Sequence, residues 1–232
     1  HRYPMLSLGN TYSEGEVKEW YNRVCKDLGV NNNSQLSMFD PQSIDVVCEL
    51  KFDGTSISLW YENGELIKAV TRGDGTQGDD VTENVRTIGA VPLVLRTPSG
   101  IDSFEVRGEI FMTQTTFERL NREREAAGEQ LFANPRNVAA GTLKLQQSKI
   151  VAKRELQFTV YPIEGRNLPF TSHWESMQRL REWGFPVSAA ARRCTSEQEV
   201  VDFITEWDKR RAEITEPIDG VVIKVDSYAT RR

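Results

Sequence analysis

The sequence is poor in the residues from which many catalytic and metal sites are built. It contains two histidines, His1 and His173, and three cysteines that lie far apart and form no Cys-x-x-Cys pair. This scarcity argues against a histidine base, a histidine-rich metal site, a zinc site or a disulfide framework in this chain. Few, scattered cysteines suit a reducing compartment, so we expect a cytoplasmic protein.

Long hydrophobic runs are also missing. No stretch of about 18 apolar residues occurs, so we expect no membrane-spanning segment. The first residues, HRYPMLSLGN, lack the basic start and apolar core of a signal peptide. The 232 residues are 38% hydrophobic and 27% charged, which excludes a disordered or fibrous class.

The net charge of −5 does not favour nonspecific binding to nucleic acid, but it hides one basic segment. Residues 134–154, NPRNVAAGTLKLQQSKIVAKR, contain five basic side chains and no acidic one. One interpretation is a solvated basic loop. The alternative is a surface that follows a phosphate backbone, because Lys and Arg carry such binding.

Helix caps and strand alternation predict the fold class. We predict helices at 13–29, 113–128, 172–184 and 196–214, three of which open with serine followed three residues later by glutamate, the capping-box spacing. We predict strands at 44–52, 55–62, 65–72, 103–112 and 219–227, with Asn63-Gly64 as a hairpin turn. Because strands follow one another before helices appear, the sheet should be largely antiparallel and the class α+β.

The segment CELKFDG, residues 48–54, carries charges at alternate positions of a predicted strand. Strand geometry sends Glu49, Lys51 and Asp53 to one face. A solvated outer face of an antiparallel sheet would explain this pattern. The alternative is that Lys51 is a nucleophile between two carboxylates.

Two further strands carry the same kind of pattern. In EVRGEIF one face has Glu105, Arg107 and Glu109, and in DGVVIKVD one face includes Lys224. A solvated face would again explain each strand on its own. However, the segment TRGDGTQGDD follows the first hairpin, begins around Arg72 and contains turn residues that let a ligand approach the backbone closely.

Nucleotidyl transfer is the chemistry that suits these residues. A lysine amine can attack the α-phosphate of a nucleotide and hold AMP as a phosphoramidate. The amine must be unprotonated, and flanking carboxylates alone would favour its protonated form. Basic neighbours such as Lys224 and Arg72, together with a divalent cation on the carboxylates, would oppose that effect.

An ordered series of motifs along nearly the whole chain resembles the NAD-dependent DNA ligases of bacteria. The segments are PMLSLGNTYS, ELKFDG, AVTRGDGTQGDDVTENVRTI, EVRGEIFM, LFANPRNVAAGTL, FTVYPIE and IDGVVIKV. The resemblance implies the nucleotidyltransferase core of DNA ligases, in which mainly antiparallel sheets are flanked by helices and the nucleotide pocket lies between them. Residues 1–232 are then one adenylation domain.

The resemblance also implies roles for individual residues. Lys51 is the lysine that becomes adenylated. The nucleotide-binding residues are Ser7, Leu8, Glu49, Arg72, Glu109, Tyr161 and Lys224. Glu49 is expected beside the adenine, Glu109 on the ribose and Lys224 at the α-phosphate. Tyr161 is expected either to stack on the adenine or to serve as buried scaffold. Supporting roles fall to Asp53, Arg136 and Asp219, and no residue is assigned as a certain metal ligand.

The family's activity implies NAD as the AMP donor, Mg²⁺ or Mn²⁺ as the cation, and nicked double-stranded DNA as the partner of a monomeric enzyme. We expect a domain truncated at both ends, without the nicotinamide-mononucleotide subdomain, motif V, or the OB, zinc, helix-hairpin-helix and BRCT regions. Zn²⁺ would belong only to that absent C-terminal part, and the fragment alone would self-adenylate poorly. Two alternatives remain open here: an ATP- or GTP-using relative, and a binding module that has lost its chemistry.

Overall fold

The structure is a computed structural model that describes residues 13–28, 44–161 and 168–231. Its strands are β1 (Val46–Phe52), β2 (Thr55–Glu62), β3 (Glu65–Thr71), β4 (Ser103–Phe111), β5 (Gln157–Tyr161), β6 (Arg192–Cys194) and β7 (Ile218–Val225). Its α-helices are α1 (Glu14–Asp27), α2 (Thr82–Val85), α3 (Gln114–Ala126), α4 (Pro135–Leu143), α5 (Ser148–Lys153), α6 (His173–Trp183) and α7 (Glu197–Lys209). Short 3₁₀ helices follow α7 and β7.

The strands form two antiparallel sheets. One sheet has the order β6-β1-β7 and the other the order β3-β2-β4-β5. The chain passes from the first sheet to the second between β1 and β2, through Asp53 and Gly54. This mixed architecture with antiparallel sheets confirms the predicted α+β class.

Each sheet buries one face under helices. Helices α1 and α7 cover the three-stranded sheet, where Tyr21 and Phe203 pack in one cluster with Cys48 and Leu50 of β1. The four-stranded sheet buries the face of Ile57 and its neighbours in a larger cluster that includes side chains from α2, α4 and α6. The opposite face of each sheet carries the charged residues of β1, β4 and β7.

The three predicted serine caps are confirmed, whereas residue 29, the predicted end of the first helix, lies outside the described residues. The side chains of Ser13, Ser172 and Ser196 each accept a hydrogen bond from the backbone N–H three residues on. Gly184 ends α6 in the left-handed conformation with φ of 101°, as expected of a glycine after a helix. Helix α7 ends at Lys209, before the predicted residue 214.

Other predictions need correction. The basic segment 134–154 is not a loop, since it contains α4 and α5. Asn134 caps α4, Pro135 occupies its first turn, and Val138 and Leu143 are buried. Strands β5 and β6 were not predicted.

None of the helices within the described ranges has the length and apolar run that a membrane crossing requires.

Candidate active site

The pairing of β1 with β7 brings predicted site residues onto one face. Lys51 lies opposite Gly220, and Val47 lies opposite Lys224, in the same antiparallel ladder. Because side chains alternate along a strand, Glu49, Lys51 and Lys224 share the face opposite the one packed under α1 and α7. The register shifts between Lys51 and Phe52, the last residue of β1, which pairs with Ile218.

Lys51 extends from this face into solvent beside an acid. Its Nζ lies 3.7 Å from Oδ2 of Asp219, and the two side chains are 52% and 44% exposed. The amine is therefore accessible to a ligand. The next acidic residue along the chain, Asp53, contacts a different cation, since its Oδ1 lies 3.6 Å from Nη1 of Arg136.

The solvated-face interpretation is wrong for Glu49. This residue is 7% exposed, and its Oε2 lies 2.7 Å from Nε2 of His173, which is fully buried on α6. Sequence reasoning assigned no role to His173. The two residues are 124 positions apart, so no local pattern could have revealed their contact.

The solvated-face interpretation also fails for β4. Glu105 and Glu109 are 6% and 9% exposed. Glu105 accepts hydrogen bonds from Ser58 at 2.6 Å and from the guanidinium of Arg107 at 3.2 Å. A buried carboxylate is expected to have such partners, because desolvation of a charge must be compensated.

Glu109 is the centre of a hydrogen-bonded cluster. Its Oε2 accepts from the Tyr161 hydroxyl at 2.8 Å and from the Ser56 hydroxyl at 3.1 Å, and its Oε1 accepts from the Gly54 N–H at 3.1 Å. Burial raises the pKa of the Glu109 carboxyl, and these hydrogen bonds oppose the rise. Burial, followed by the nearby Glu109 charge, raises the pKa of the Tyr161 hydroxyl above its ordinary range.

Tyr161 also connects the two sheets. The Nζ of Lys224, on β7, lies 5.5 Å from the centroid of the Tyr161 ring, on β5. This is a cation–π distance. The charged faces of the two sheets therefore approach each other here, with Lys224 on one side and the Glu109 cluster on the other.

The turn after β3 completes one wall of a cleft. Gly73 and Gly75 have φ of 57° and 94°, values that favour glycine. Between them, Oδ1 of Asp74 accepts hydrogen bonds from the backbone N–H groups of Thr76 and Gln77 at 2.8 and 2.7 Å. These bonds hold the pKa of the Asp74 carboxyl at about 2, and they fix the turn.

The cleft has a volume of about 310 Å³ and is open to solvent. Its lining brings together three of the predicted residues, Arg72, Glu109 and Arg136. Gly54, which follows the Lys51 motif, and Lys144 of the basic segment also line it. Basic side chains thus surround a buried acid, a combination that suits a nucleotide with its ribose hydroxyls and phosphates.

The basic segment divides between the cleft and the core. Arg136 and Lys144 face the cleft, and Nζ of Lys144 lies 2.9 Å from Oδ2 of Asp79. Arg154 instead hydrogen-bonds Thr142 at 3.0 Å, and burial lowers its pKa. The segment is therefore not uniformly solvated.

A divalent cation fits this site only with help from a ligand. Within the described ranges, no group of three or more His, Cys, Asp or Glu side chains could hold a metal ion. Mg²⁺ beside a nucleotide commonly takes one or two carboxylates and completes its shell with phosphate oxygens and water. Asp219 lies beside Lys51 and Asp53 lies beside Arg136, so each offers one carboxylate at this site.

Not all predicted residues can be located. Ser7 and Leu8 lie outside the described residues. The other predicted residues divide among the face of Lys51, the Glu109 cluster and the cleft, and these adjoin one another through Gly54 and Tyr161.

Comparison with known proteins gives a consistent result. The model of one family, described as the NAD-dependent DNA ligase adenylation domain, matches residues 1–232. A protein named DNA ligase from Phocaeicola vulgatus is 52% identical over 232 residues, which is 100% of this chain and 33% of that protein. One from Bacteroides fragilis has the same identity and coverage.

A third DNA ligase, from Parabacteroides distasonis, is 48% identical over 100% of this chain and 33% of its own length. The chain thus spans about a third of the length of the relatives it matches. One chain in a solved RNA repair complex has a TM-score of 0.38 and 10% identity, covering 93% of this chain and 77% of that one. A similarity this low carries no argument about the fold.

Proposed function

The chain belongs to the NAD-dependent DNA ligase adenylation domain family, and from this premise we propose that Lys51 is the residue that accepts AMP from NAD. The Lys51 amine attacks the phosphorus of the AMP half, forms an N–P bond and loses a proton. The bond to the nicotinamide mononucleotide breaks, and that group leaves with the electron pair.

The observation that supports this proposal most directly is the position of the Lys51 side chain. It is half exposed and lies on the strand face that also carries Glu49 and Lys224. A nucleophile must be accessible to its substrate, and a cation nearby stabilises the charge on the phosphate that it attacks. Lys224 is the residue on this face that meets the second requirement.

We assign the Glu109 cluster to the nucleoside. A carboxylate accepts hydrogen bonds from hydroxyl donors, so Glu109 is suited to the ribose. The Tyr161 ring is the candidate surface for stacking against the base, and its hydroxyl bond to Glu109 holds the ring in place. The Nζ of Lys224 lies 5.5 Å from the centroid of this ring, so a base that stacks there would displace or cover it.

The basic side chains around the cleft are assigned to phosphates. Arg72 and Arg136 line the cleft, and a guanidinium binds phosphate oxygens in pairs. We propose that Asp219 and Asp53 hold Mg²⁺ or Mn²⁺ together with the phosphates, where the cation supplies charge neutralisation at phosphorus.

For the whole protein we propose nick sealing. AMP passes from Lys51 to the 5′-phosphate of nicked DNA, and the 3′-hydroxyl then displaces AMP and forms the phosphodiester bond. The chain spans a third of its relatives, so this activity, a monomeric state and a cytoplasmic location rest on the family. Arg136 of α4 and Lys144 at the end of α4 line the cleft, and we assign them to contacts with a DNA backbone.

The experiment that tests this proposal measures the intact mass of the protein after incubation with NAD or with ATP, each with Mg²⁺. It is done on the 232-residue chain and on the protein at the length of its relatives. We expect NAD to add one AMP and ATP to add none. The addition from NAD should be slower in the 232-residue chain than in the longer protein. An adduct formed only with ATP would assign the protein to another branch of nucleotidyltransferases.

A further inference from the structure

The buried contact between Glu49 and His173 is the least expected feature of the site. His173 is fully buried, and its Nε2 lies 2.7 Å from Oε2 of Glu49. Burial of two ionisable side chains costs free energy of desolvation, which their hydrogen bond to each other partly offsets. Glu49 lies two residues before Lys51 on the same strand face, which indicates that its contact with His173 acts on the site.

The helix that carries His173 is held in place by other contacts. The His173 and Trp174 N–H groups donate to the backbone oxygen and to Oδ1 of Asp226, both at 2.8 Å. Further along α6, the Ser176 hydroxyl bonds the Tyr228 hydroxyl at 2.8 Å. Because these contacts attach α6 to the end of β7, the imidazole is not needed to dock the helix.

We propose that His173 is a positioning residue whose imidazole fixes the Glu49 carboxylate, so that the carboxylate accepts a hydrogen bond from the exocyclic amine of the adenine base. This inference rests on the proposed function and on the expectation, implied by the family resemblance, that adenine lies beside Glu49. A carboxylate has about four lone-pair positions, so a bond to His173 leaves capacity for an amine donor. Without the imidazole, the Glu49 side chain would rotate or collect water, and recognition of the amine would weaken.

Purine riboside, which is adenosine without the amine, separates this role from a merely structural one. We compare the binding of adenosine and purine riboside to the unadenylated protein by calorimetry. The wild type should prefer adenosine by about tenfold or more, the value expected for a hydrogen bond to a charged group. His173→Leu should lose most of this preference by binding adenosine about 10- to 100-fold more weakly.

Three further variants complete the comparison. His173→Gln puts an amide N–H near the position of Nε2 and should restore part of the preference. Ser176→Ala is the matched control, because it is equally buried on the same helix and does not contact Glu49, and it should keep the preference. If His173→Leu does not fold, His173→Asn, whose shorter amide does not reach Glu49, replaces it.

The outcomes separate the two proposals. If His173→Leu keeps the wild-type preference, or weakens both nucleosides equally, the positioning role is overturned while the proposed function stands. If the wild type binds neither nucleoside and gains no AMP from NAD, the proposed function fails and the inference fails with it. Loss of preference in His173→Leu with retention in Ser176→Ala supports the inference.

Discussion

The Nζ of Lys51 on β1 lies 3.7 Å from Oδ2 of Asp219 on β7, with both side chains about half exposed. An exposed ion pair of this kind contributes little to stability, about 0–1 kcal/mol. Its position at the open side of the sheet, beside the amine that we propose accepts AMP, suits a role in the reaction instead. Asp219 is available to the reaction without being needed by the fold.

We therefore predict that Asp219→Asn separates activity from stability. The free energy of unfolding, measured by urea denaturation, should change by less than about 1 kcal/mol. The rate at which NAD adds AMP should fall, with a stronger dependence on Mg²⁺ concentration, because a carboxylate that helps hold the cation is lost. A large loss of stability with unchanged adenylation would contradict this assignment.

Tyr161→Phe should destabilise the protein through Glu109. The hydroxyl donates to a carboxylate whose pKa burial already raises, so its removal leaves a buried acid with one donor fewer. We expect a loss of about 1–3 kcal/mol. Tyr61→Phe is the control, since the Tyr61 hydroxyl donates at 2.6 Å to the neutral carbonyl of Pro92. An equal or larger effect of the control would show that the Glu109 charge is not the cause.

The glycine after Lys51 and Asp53 should not tolerate alanine. A Cβ at Gly54 would lie 2.1 Å from the backbone oxygen of Ile110, so the start of β2 would have to move away from its neighbour β4. Gly54→Ala should cost about 1–3 kcal/mol or more and slow adenylation, because the Gly54 N–H also donates to Glu109.

Gly141→Ala is the matched comparison for Gly54→Ala. Gly141 lies within α4, and a Cβ there meets nothing within 4 Å. Alanine should stabilise the helix by about 0.5–1 kcal/mol. Thermal unfolding of both variants checks the pair, and a similar shift in both would mean that the close approach at Gly54 does not matter.

The ionised Asp74 carboxylate should stabilise the folded protein, and this stabilisation should be lost in acid. Its pKa is about 2 in the folded protein against an ordinary value of 3.8, so the unfolded chain binds this proton first. The stabilisation is present above pH 3.8 and is lost as the pH falls towards 2. Asp74→Ala should flatten this part of the stability profile measured by urea unfolding. Parallel profiles for wild type and variant would contradict it.

Short-range patterns predicted the parts of the fold that are decided locally. Ser13, Ser172 and Ser196 were identified as caps because capping depends on residues three apart. Strand β6 has only three residues, too few to show alternation. Helix α4 was not predicted, since the segment was interpreted by its charge as a solvated loop or a phosphate-binding surface, although Asn134 and Pro135 are a helix start.

Long-range contacts explain what could not be predicted in the site. Strand alternation predicted the face on which Lys51 lies. The motifs that resemble the family predicted most of the residues that the structure brings together. The burial of Glu49 and Glu109 did not follow, because alternation cannot distinguish a solvated face from one covered by a second sheet or a helix. The partners of these two carboxylates lie far along the chain, since His173 is 124 residues from Glu49 and Tyr161 is 52 residues from Glu109.

The central claim is that the Lys51 amine carries AMP, and one measurement tests it directly. Wild type, Lys51→Arg and Lys68→Arg are incubated with NAD and Mg²⁺, and their intact masses are compared. Lys68 is the control because it too is an exposed strand lysine beside an aspartate, 3.9 Å from Asp80. The account predicts one AMP on wild type and on Lys68→Arg, and none on Lys51→Arg, which keeps the charge but not the nucleophile. An AMP adduct on Lys51→Arg would contradict it.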